Sequence, residues 1–515
     1  MNILMALGID TKTSIGTTSS SPYTGSPTFD EVPFHVQPGQ RPTLGTYVVV
    51  TFDYHDTVLY GRIFEGVEEN PKADPSTLQR TQAYSMPEKP RSGDQSPFVT
   101  RVMQVEVLGE LTLTEDGAIT IAEPVTLPLT NMKVYELPVD KIPALLGTED
   151  GQAIGLHLGD IEVGGRSVPF YYPRTGLSRH IALMGKTGTG KSYATGVIIE
   201  ELVSNHIPVI AFDVLDDLRM ATEELKGKQY EAGQNFKVPF SMVGVGEFLN
   251  FIPNLTKDQL EIVALAYARI QAKAMEQLDN TGNVTISLND LEKEILQIGS
   301  DMGQEAVARR AFQRVNAAYK GSPLLTDKLE DWMRQLGKVP ILNVFVGKLG
   351  QQQRNLVVAA TARMLQVLRR RDKVSPCVFI LDEAHYFLPS GEQTPSTAII
   401  REMIRTARHD AIGVILITQS PSSIDKQVLM ICNTRVIFAL DREDIRAVEG
   451  TMGDVPDAVI KRLAKLPKGN AMITAGSDIL RHSVRIKIRQ RRTSEGAPTP
   501  DLALEAAKWL NNHNQ

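Results

Sequence analysis

The run Gly185-Lys186-Thr187-Gly188-Thr189-Gly190-Lys191-Ser192 constrains this chain more than any other feature. It fits G-x-x-x-x-G-K-[ST], a loop whose backbone N–H groups turn inward around a phosphate. The flanks supply the setting that the loop needs. Ile181-Ala182-Leu183-Met184 reads as a buried strand, and the residues from Tyr193 onward read as a helix whose N-terminus adds a positive dipole end. Lys191 is placed to bridge the β- and γ-phosphates of ATP, and Ser192 to hold Mg²⁺. Gly185 to Tyr193 are therefore the expected nucleotide-binding residues.

A second element says what the nucleotide is for. Val378-Phe379-Ile380-Leu381 is an apolar strand that runs into Asp382-Glu383-Ala384-His385. A carboxylate at the C-terminal end of such a strand suits a water-mediated Mg²⁺ contact, which is the role expected of Asp382. Glu383, one residue on, can act as general base on an attacking water. A kinase has no need of a water-activating carboxylate there, whereas a hydrolysing ATPase does. Without the phosphate loop, an exposed acidic pair after a strand would explain both residues equally well.

The 515 residues suggest more than one domain, and a hydrophobic content of 42% is ample for a large core. The two cysteines, Cys377 and Cys432, lie in apolar runs and read as small core residues, which fits a reducing compartment. No run of eighteen apolar residues occurs, so the expectation is a soluble, cytoplasmic protein with no membrane contact. A net charge of −5 is not the footprint of a chain that binds nucleic acid over its whole surface. It leaves room for a motor that grips DNA through a few loops lining a pore. Two local basic clusters occur. Arg369-Arg370-Arg371 ends a helical run, and Arg485, Lys487 and Arg489 alternate with apolar residues as on a strand with one basic face. Both clusters read first as solvated outer faces.

Along the chain, residues 1–40 are rich in Ser, Thr, Pro and Gly and read as a flexible arm. Short runs rich in β-branched and aromatic residues at 46–52, 57–64, 97–108 and 132–137 predict a small β-barrel over 41–150, interrupted by a polar insertion at 66–96. An ATPase core is expected over 151–214 and 337–490, as a mostly parallel sheet with helices on both faces. Between these halves, residues 215–336 carry apolar residues at three- and four-residue spacing and predict a helical insertion. Residues 491–515 read as a linker and a short amphipathic helix at 502–511.

Three further residues acquire roles from this geometry. Nucleotides sit at the C-terminal ends of the strands in such sheets. Gln419 follows the strand 413–418 at that end and can reach the γ-phosphate or the attacking water. Arg179 and Arg408 precede strands and belong to the opposite end. Four to seven residues of strand span about 13–23 Å, so neither reaches its own nucleotide. Either can reach a neighbour's if subunits pack head to tail in a ring, as an arginine finger. A surface ion pair is the alternative for each.

Four segments together resemble the HerA-like branch of the HerA–FtsK superfamily of ring-forming DNA translocases. They are Arg179-His180-Ile181-Ala182-Leu183-Met184 running into the phosphate loop, Leu381-Asp382-Glu383-Ala384-His385, Arg405-Thr406-Ala407-Arg408-His409, and Thr418-Gln419-Ser420-Pro421-Ser422-Ser423-Ile424-Asp425. The resemblance covers most of residues 40–490. It implies a RecA-like P-loop core, a homohexamer threading double-stranded DNA, and trans-acting arginines at Arg179 and Arg408. It also implies a partner nuclease or sirtuin-like effector docked on the barrel side, in DNA-end processing or anti-phage defence. The last segment lacks the basic residue often found there in the family.

Overall fold

The computed structural model describes residues 2–20, 24–52, 56–69, 100–148, 154–328, 330–453 and 455–496. The expected helix at 502–511 and nearly all of the polar insertion lie outside these residues.

The N-terminal part is a closed barrel. Its strands are β1 (Gly16–Thr18), β2 (Glu31–Val36), β3 (Tyr47–Thr51), β4 (Thr57–Glu69), β5 (Thr100–Leu113), β6 (Ile119–Ala122) and β7 (Lys133–Glu136). They are ordered β2-β1-β7-β3-β4-β5-β6, and an antiparallel β2–β5 pairing closes six of them into a ring with β6 outside. Closure leaves the ring strands without free edges. Val32, Phe34, Val48, Val50, Leu59, Ile63, Val105 and Val134 fill the interior. Residues 1–40 depart from expectation here, because the supposed arm contributes β1 and β2. β1 is only three residues long and β2 carries Pro33, so neither has the length or the alternation that marks a strand in sequence.

The remainder is built on one sheet of eleven strands. β8 (Gly155–Val163) and β9 (Arg166–Pro173) precede the phosphate-loop strand β10 (Ile181–Met184). β11 (Val209–Asp213) and β12 (Lys228–Glu231) follow, then a two-residue pair, β13 (Val238–Pro239) and β14 (Leu325–Thr326). β15 (Ile341–Phe345), β16 (Cys377–Leu381), β17 (Ile412–Thr418), β18 (Thr434–Ile437), β19 (Asn470–Thr474) and β20 (Val484–Ile488) complete the set. The order is β12-β15-β11-β16-β17-β10-β18-β19-β20-β8-β9. The pairings from β12 to β18 are parallel, and those from β18 to β9 antiparallel.

Side-chain alternation splits this sheet between two apolar clusters. Ala182, Met184, Ile210 and Phe212 face the helical insertion. Ile181, Leu183, Val209 and Ala211 face the phosphate-loop helix and share a cluster with Tyr47, Val49, Tyr60 and Tyr135 of the barrel. Barrel and core are thus joined by a continuous apolar contact, reinforced by Tyr60 Oη and His482 Nε2 at 2.6 Å. The insertion contains helices Lys257–Thr281, Leu288–Asp301 and Glu305–Gly321. Thr256 and Ser287 open the first two as capping boxes. Three strands lie inside this expected helical region, β12 and the two-residue pair β13 and β14. β12 joins the main sheet at its edge, where only Tyr230 is buried and the polar sequence Lys228-Gln229-Tyr230-Glu231 hides the strand. Cys377 and Cys432 are buried, unpaired thiols, each pushed up to about 12 by burial.

His180 fixes the phosphate-loop strand to its neighbours. It is 3% exposed and adopts φ 65°. Its Nδ1 accepts from the Val414 N–H at 3.1 Å, so Nε2 carries the proton and donates to the Ile404 carbonyl at 3.0 Å. Burial pushes its pKa down from 6.5 to about 4, against a smaller opposing effect of the Ile404 bond. The unfolded chain takes up a proton near pH 6.5, and the folded chain does so only near 4. This stabilisation is therefore complete above pH 6.5 and falls away as the pH drops toward 4, by about 3 kcal/mol in all. Denaturant titrations at pH 7 and pH 4.5 should show a loss in wild type that His180→Asn shows to a smaller degree. An equal loss in both would remove His180 as its source.

Candidate nucleotide site

The phosphate loop leaves β10 and enters the helix Lys191–Ser204. Gly188 and Gly190 take φ of 78° and 113°, values that side chains rarely adopt. A Cβ on Gly185 would lie 2.5 Å from Phe438 Cβ, so the loop can start its turn only as glycine. The loop is tied down by Lys186 N–H to the Ala439 carbonyl (2.9 Å) and by Gly469 N–H to the Thr189 carbonyl (2.9 Å). Thr189 Oγ1 donates to the Lys186 carbonyl at 2.7 Å, and Lys191 Nζ donates to the same carbonyl at 3.2 Å. Burial lowers the Lys191 pKa, opposed by Glu383 and then Asp382.

β16 delivers Asp382 and Glu383 to the same end of the sheet. Asp382 is half-buried, and desolvation holds its carboxyl well above the usual range, with Asp213, Glu383 and Asp217 adding repulsion. Glu383 is buried with φ 48° and ψ 51°, a left-handed conformation that costs a residue with a Cβ about 1–2 kcal/mol. Its Oε2 lies 3.3 Å from His385 Nδ1 but makes no hydrogen bond. A strained carboxylate with a buried, unpaired oxygen is the geometry expected of a base held ready. Gln419, one residue past β17, accepts from Thr187 Oγ1 at 2.6 Å and so stands against the phosphate loop. These groups line a cleft of about 740 Å³ that includes Thr187, Lys191, Ser192, Asp382, Glu383 and Gln419.

The two arginines lie elsewhere. Arg179 ends the turn Arg174–Arg179 before β10, at the opposite end of the sheet, and forms an ion pair with Asp478. Arg408 sits in the last turn of the helix Pro395–Asp410, also before the start of β17.

A profile for the central domain of helicase HerA matches residues 157–365, and one for ATPases associated with various cellular activities matches 329–440. The chain is a P-loop ATPase whose central part is similar to that of HerA helicases. It is 20% identical over 395 residues to the DNA double-strand break repair helicase HerA of Sulfolobus acidocaldarius, covering 72% of this chain and 77% of that protein. It is 22% identical over 483 residues to a probable helicase of Methanocaldococcus jannaschii, covering 87% and 86%. Among solved structures, VirB4 of Thermoanaerobacter pseudethanolicus superposes with a TM-score of 0.51 at 17% identity, over 65% of this chain and 96% of VirB4.

Several site residues escape sequence reasoning. Asp217 Oδ2 accepts from Ser192 Oγ at 3.2 Å. The loop that carries it is shaped by Asp213, whose carboxylate accepts from the N–H groups of Leu215, Asp216 and Leu218. The signal was present as Asp213-Val214-Leu215-Asp216-Asp217 directly after an apolar strand. The wall made by Lys468, Gly469 and residues 487–496 carries no such motif.

The basic clusters are also resolved. Arg370 pairs with Asp410 and Arg371 with Asp279, while Arg369 donates to the carbonyls of Asp410 and Val374. On β20, Arg485 donates to Asn470 and Lys487 to Glu162. Arg489 turns inward to buried Glu200 and Glu201, so the supposed single basic face is divided.

Proposed function

We propose that this chain assembles into a homohexameric ring that hydrolyses ATP to drive double-stranded DNA through its channel. What supports the reading is the separation of two half-sites: phosphate loop, Glu383 and Gln419 at one end of the sheet, Arg179 and Arg408 at the other. Head-to-tail packing would bring one copy's arginines to the next copy's nucleotide. The relatives named as DNA double-strand break repair helicases support DNA as the track.

The residues fit ATP with Mg²⁺. Gly185 has no room for a Cβ and Gly188 and Gly190 take left-handed φ, as a phosphate cradle needs, and a divalent cation would relieve the repulsion around Asp382. Ser192 and Asp382 would hold the cation, which with ATP supplies the phosphoryl group and neutralises its charge. Lys191 binds the β- and γ-phosphates. Gln419 orients the attacking water, and Glu383 accepts its proton at Oε2. Arg179 and Arg408 stabilise the charge that develops in the adjoining subunit. For Arg179 this requires release from Asp478. The two side chains are 33% and 49% exposed, so the pair is worth about 1 kcal/mol or less and does not hold the arginine back.

A second reading is an ATPase scaffold that organises an effector with little translocation. The intrachain pairing of Arg369 to Arg371, Arg489 and Arg492 favours it, since those cations are engaged. ATPase rates on duplexes of increasing length separate the two. A motor speeds up with length to a plateau, and a scaffold in intact rings ignores DNA.

The effector, a nuclease or sirtuin-like enzyme, docks on the barrel side in this reading. Val125, Leu127 and Leu129 support this, being 78%, 48% and 46% exposed on the segment after β6. Copurification that survives Val125→Asp with Leu127→Asp would place docking elsewhere. Among the described residues no helix is long and apolar enough to cross a membrane, which supports action in the cytoplasm.

A further inference from the structure

A buried cation that, among the described residues, makes no hydrogen bond to a carboxylate stands beside the phosphate loop. Arg491 is 8% exposed and lines the nucleotide cleft. Its Nε donates to Thr493 Oγ1 at 2.8 Å and its Nη1 to the Ser192 carbonyl at 3.4 Å. Its Nη2 is sealed from solvent with no hydrogen-bond partner. Glu200, Glu495 and Glu224 surround it, yet among the described residues none accepts a hydrogen bond from it.

The position is built. Gly196 sits inside the phosphate-loop helix, where glycine costs about 1 kcal/mol relative to alanine. A Cβ there would lie 2.2 Å from Arg491 Nε, so the glycine makes room for the guanidinium. The Arg491 N–H donates to Tyr193 Oη at 2.6 Å. The N–H groups of Arg492 and Thr493 donate to Glu200 Oε1 at 2.8 and 2.7 Å. Glu200 is 2% exposed, and although burial raises its pKa, the bonds from Thr493, Arg489 and Arg492 hold it below the ordinary value. Residues 489–493 are thereby clamped along the helix, from Tyr193 in its first turn to Glu200 in its third.

That location is electrostatically unfavourable by itself. A helix N-terminus is a positive pole, and a buried guanidinium beside it adds like charge in a place of low dielectric. An anion reverses the sign of both contributions. Lys191, Asp382 and Glu383 mark the β- and γ-phosphate end of the cleft. Ser192 and Tyr193 mark the other end, where loop and helix N–H groups cradle the α-phosphate.

We propose that Arg491 is the counter-charge for the α-phosphate of the bound nucleotide, a third part of the nucleotide site beside the phosphate loop and the β16 carboxylates. Arg491 would then act on ADP and ATP alike.

The test measures binding of ADP and ATP with Mg²⁺, and thermal unfolding without nucleotide, in Arg491→Gln, Arg491→Lys and Arg492→Gln. Arg492 is the adjacent cation, bound to Glu200 and Glu201 and absent from the cleft. Arg491→Gln should weaken ADP and ATP equally, by about tenfold to a hundredfold, the range of a lost charge-assisted contact. Arg491→Lys should fall between it and wild type, and Arg492→Gln should bind normally. The nucleotide-free unfolding midpoint of Arg491→Gln should match or exceed wild type, because a buried charge with an unbonded nitrogen has been removed. ADP binding within about twofold of wild type would overturn the proposal. So would a loss confined to ATP, or an equal loss in Arg492→Gln. A lowered nucleotide-free midpoint with identical losses in Arg491→Lys and Arg491→Gln would make Arg491 a structural clamp, and would overturn it too.

Discussion

Glu383→Gln should bind ATP with near-normal affinity and hydrolyse it about 10²–10⁴-fold more slowly, the span that a positioned general base contributes. The amide matches the carboxylate in shape and can occupy the same buried, left-handed position after β16. It cannot take a proton from water. Lys191→Ala should behave differently, because it removes a cation from the phosphates themselves. Its ATP affinity should fall roughly tenfold to a hundredfold, with turnover lost as well. Nucleotide binding and single-turnover hydrolysis measured side by side distinguish the two. If Glu383→Gln turns over at the wild-type rate, the base is another residue. His385 and Asp217 then become the groups to examine, since both lie beside the same site.

Arg408→Ala should reduce ATP turnover by on the order of 10³-fold or more, the range reported by arginine fingers acting between subunits. The helix Pro395–Asp410 places Arg408 before β17, and the seven residues of that strand separate it from Gln419 at the nucleotide end. The loss should therefore be shared between copies. Mixing Arg408→Ala with Lys191→Ala subunits creates some interfaces with an intact phosphate loop facing an intact arginine, and part of the activity should return. Mixed rings verified by mass, with no gain over either parent, would mean that Arg408 does not act in trans.

Local chemistry was legible in the sequence and distant chemistry was not. The phosphate loop, Asp382, Glu383 and Gln419 are each positioned by the strand that immediately precedes them, so apolar runs and a few polar residues sufficed to place them. Arg491 reaches Ser192 across 299 residues of chain, and no pattern of spacing encodes that meeting. Asp217 lay between these cases, in a motif whose role depends on the loop that Asp213 folds. The fold divides in the same way. Long amphipathic helices such as Lys257–Thr281 announce themselves through periodicity, whereas β1, β2 and β12 are short, polar or at an edge. Their strand character comes from pairing partners far along the chain. The basic strand follows its alternation for Arg485 and Lys487, which β20 leaves exposed, and departs from it only at Arg489. Alternation predicts which residues share a face of β20, but Arg489 lies just past its end and folds back onto Glu200 and Glu201.

The claim that ATP hydrolysis drives movement along duplex DNA is tested most directly by displacement of a third strand. A short triplex-forming oligonucleotide is annealed far from one end of a long duplex, and its release is followed after ATP is added. The account predicts ATP-dependent release by wild type, with a delay that grows with the distance to be covered, and none by Glu383→Gln. Rings that bind the duplex and hydrolyse ATP at full rate while the third strand stays in place would contradict it.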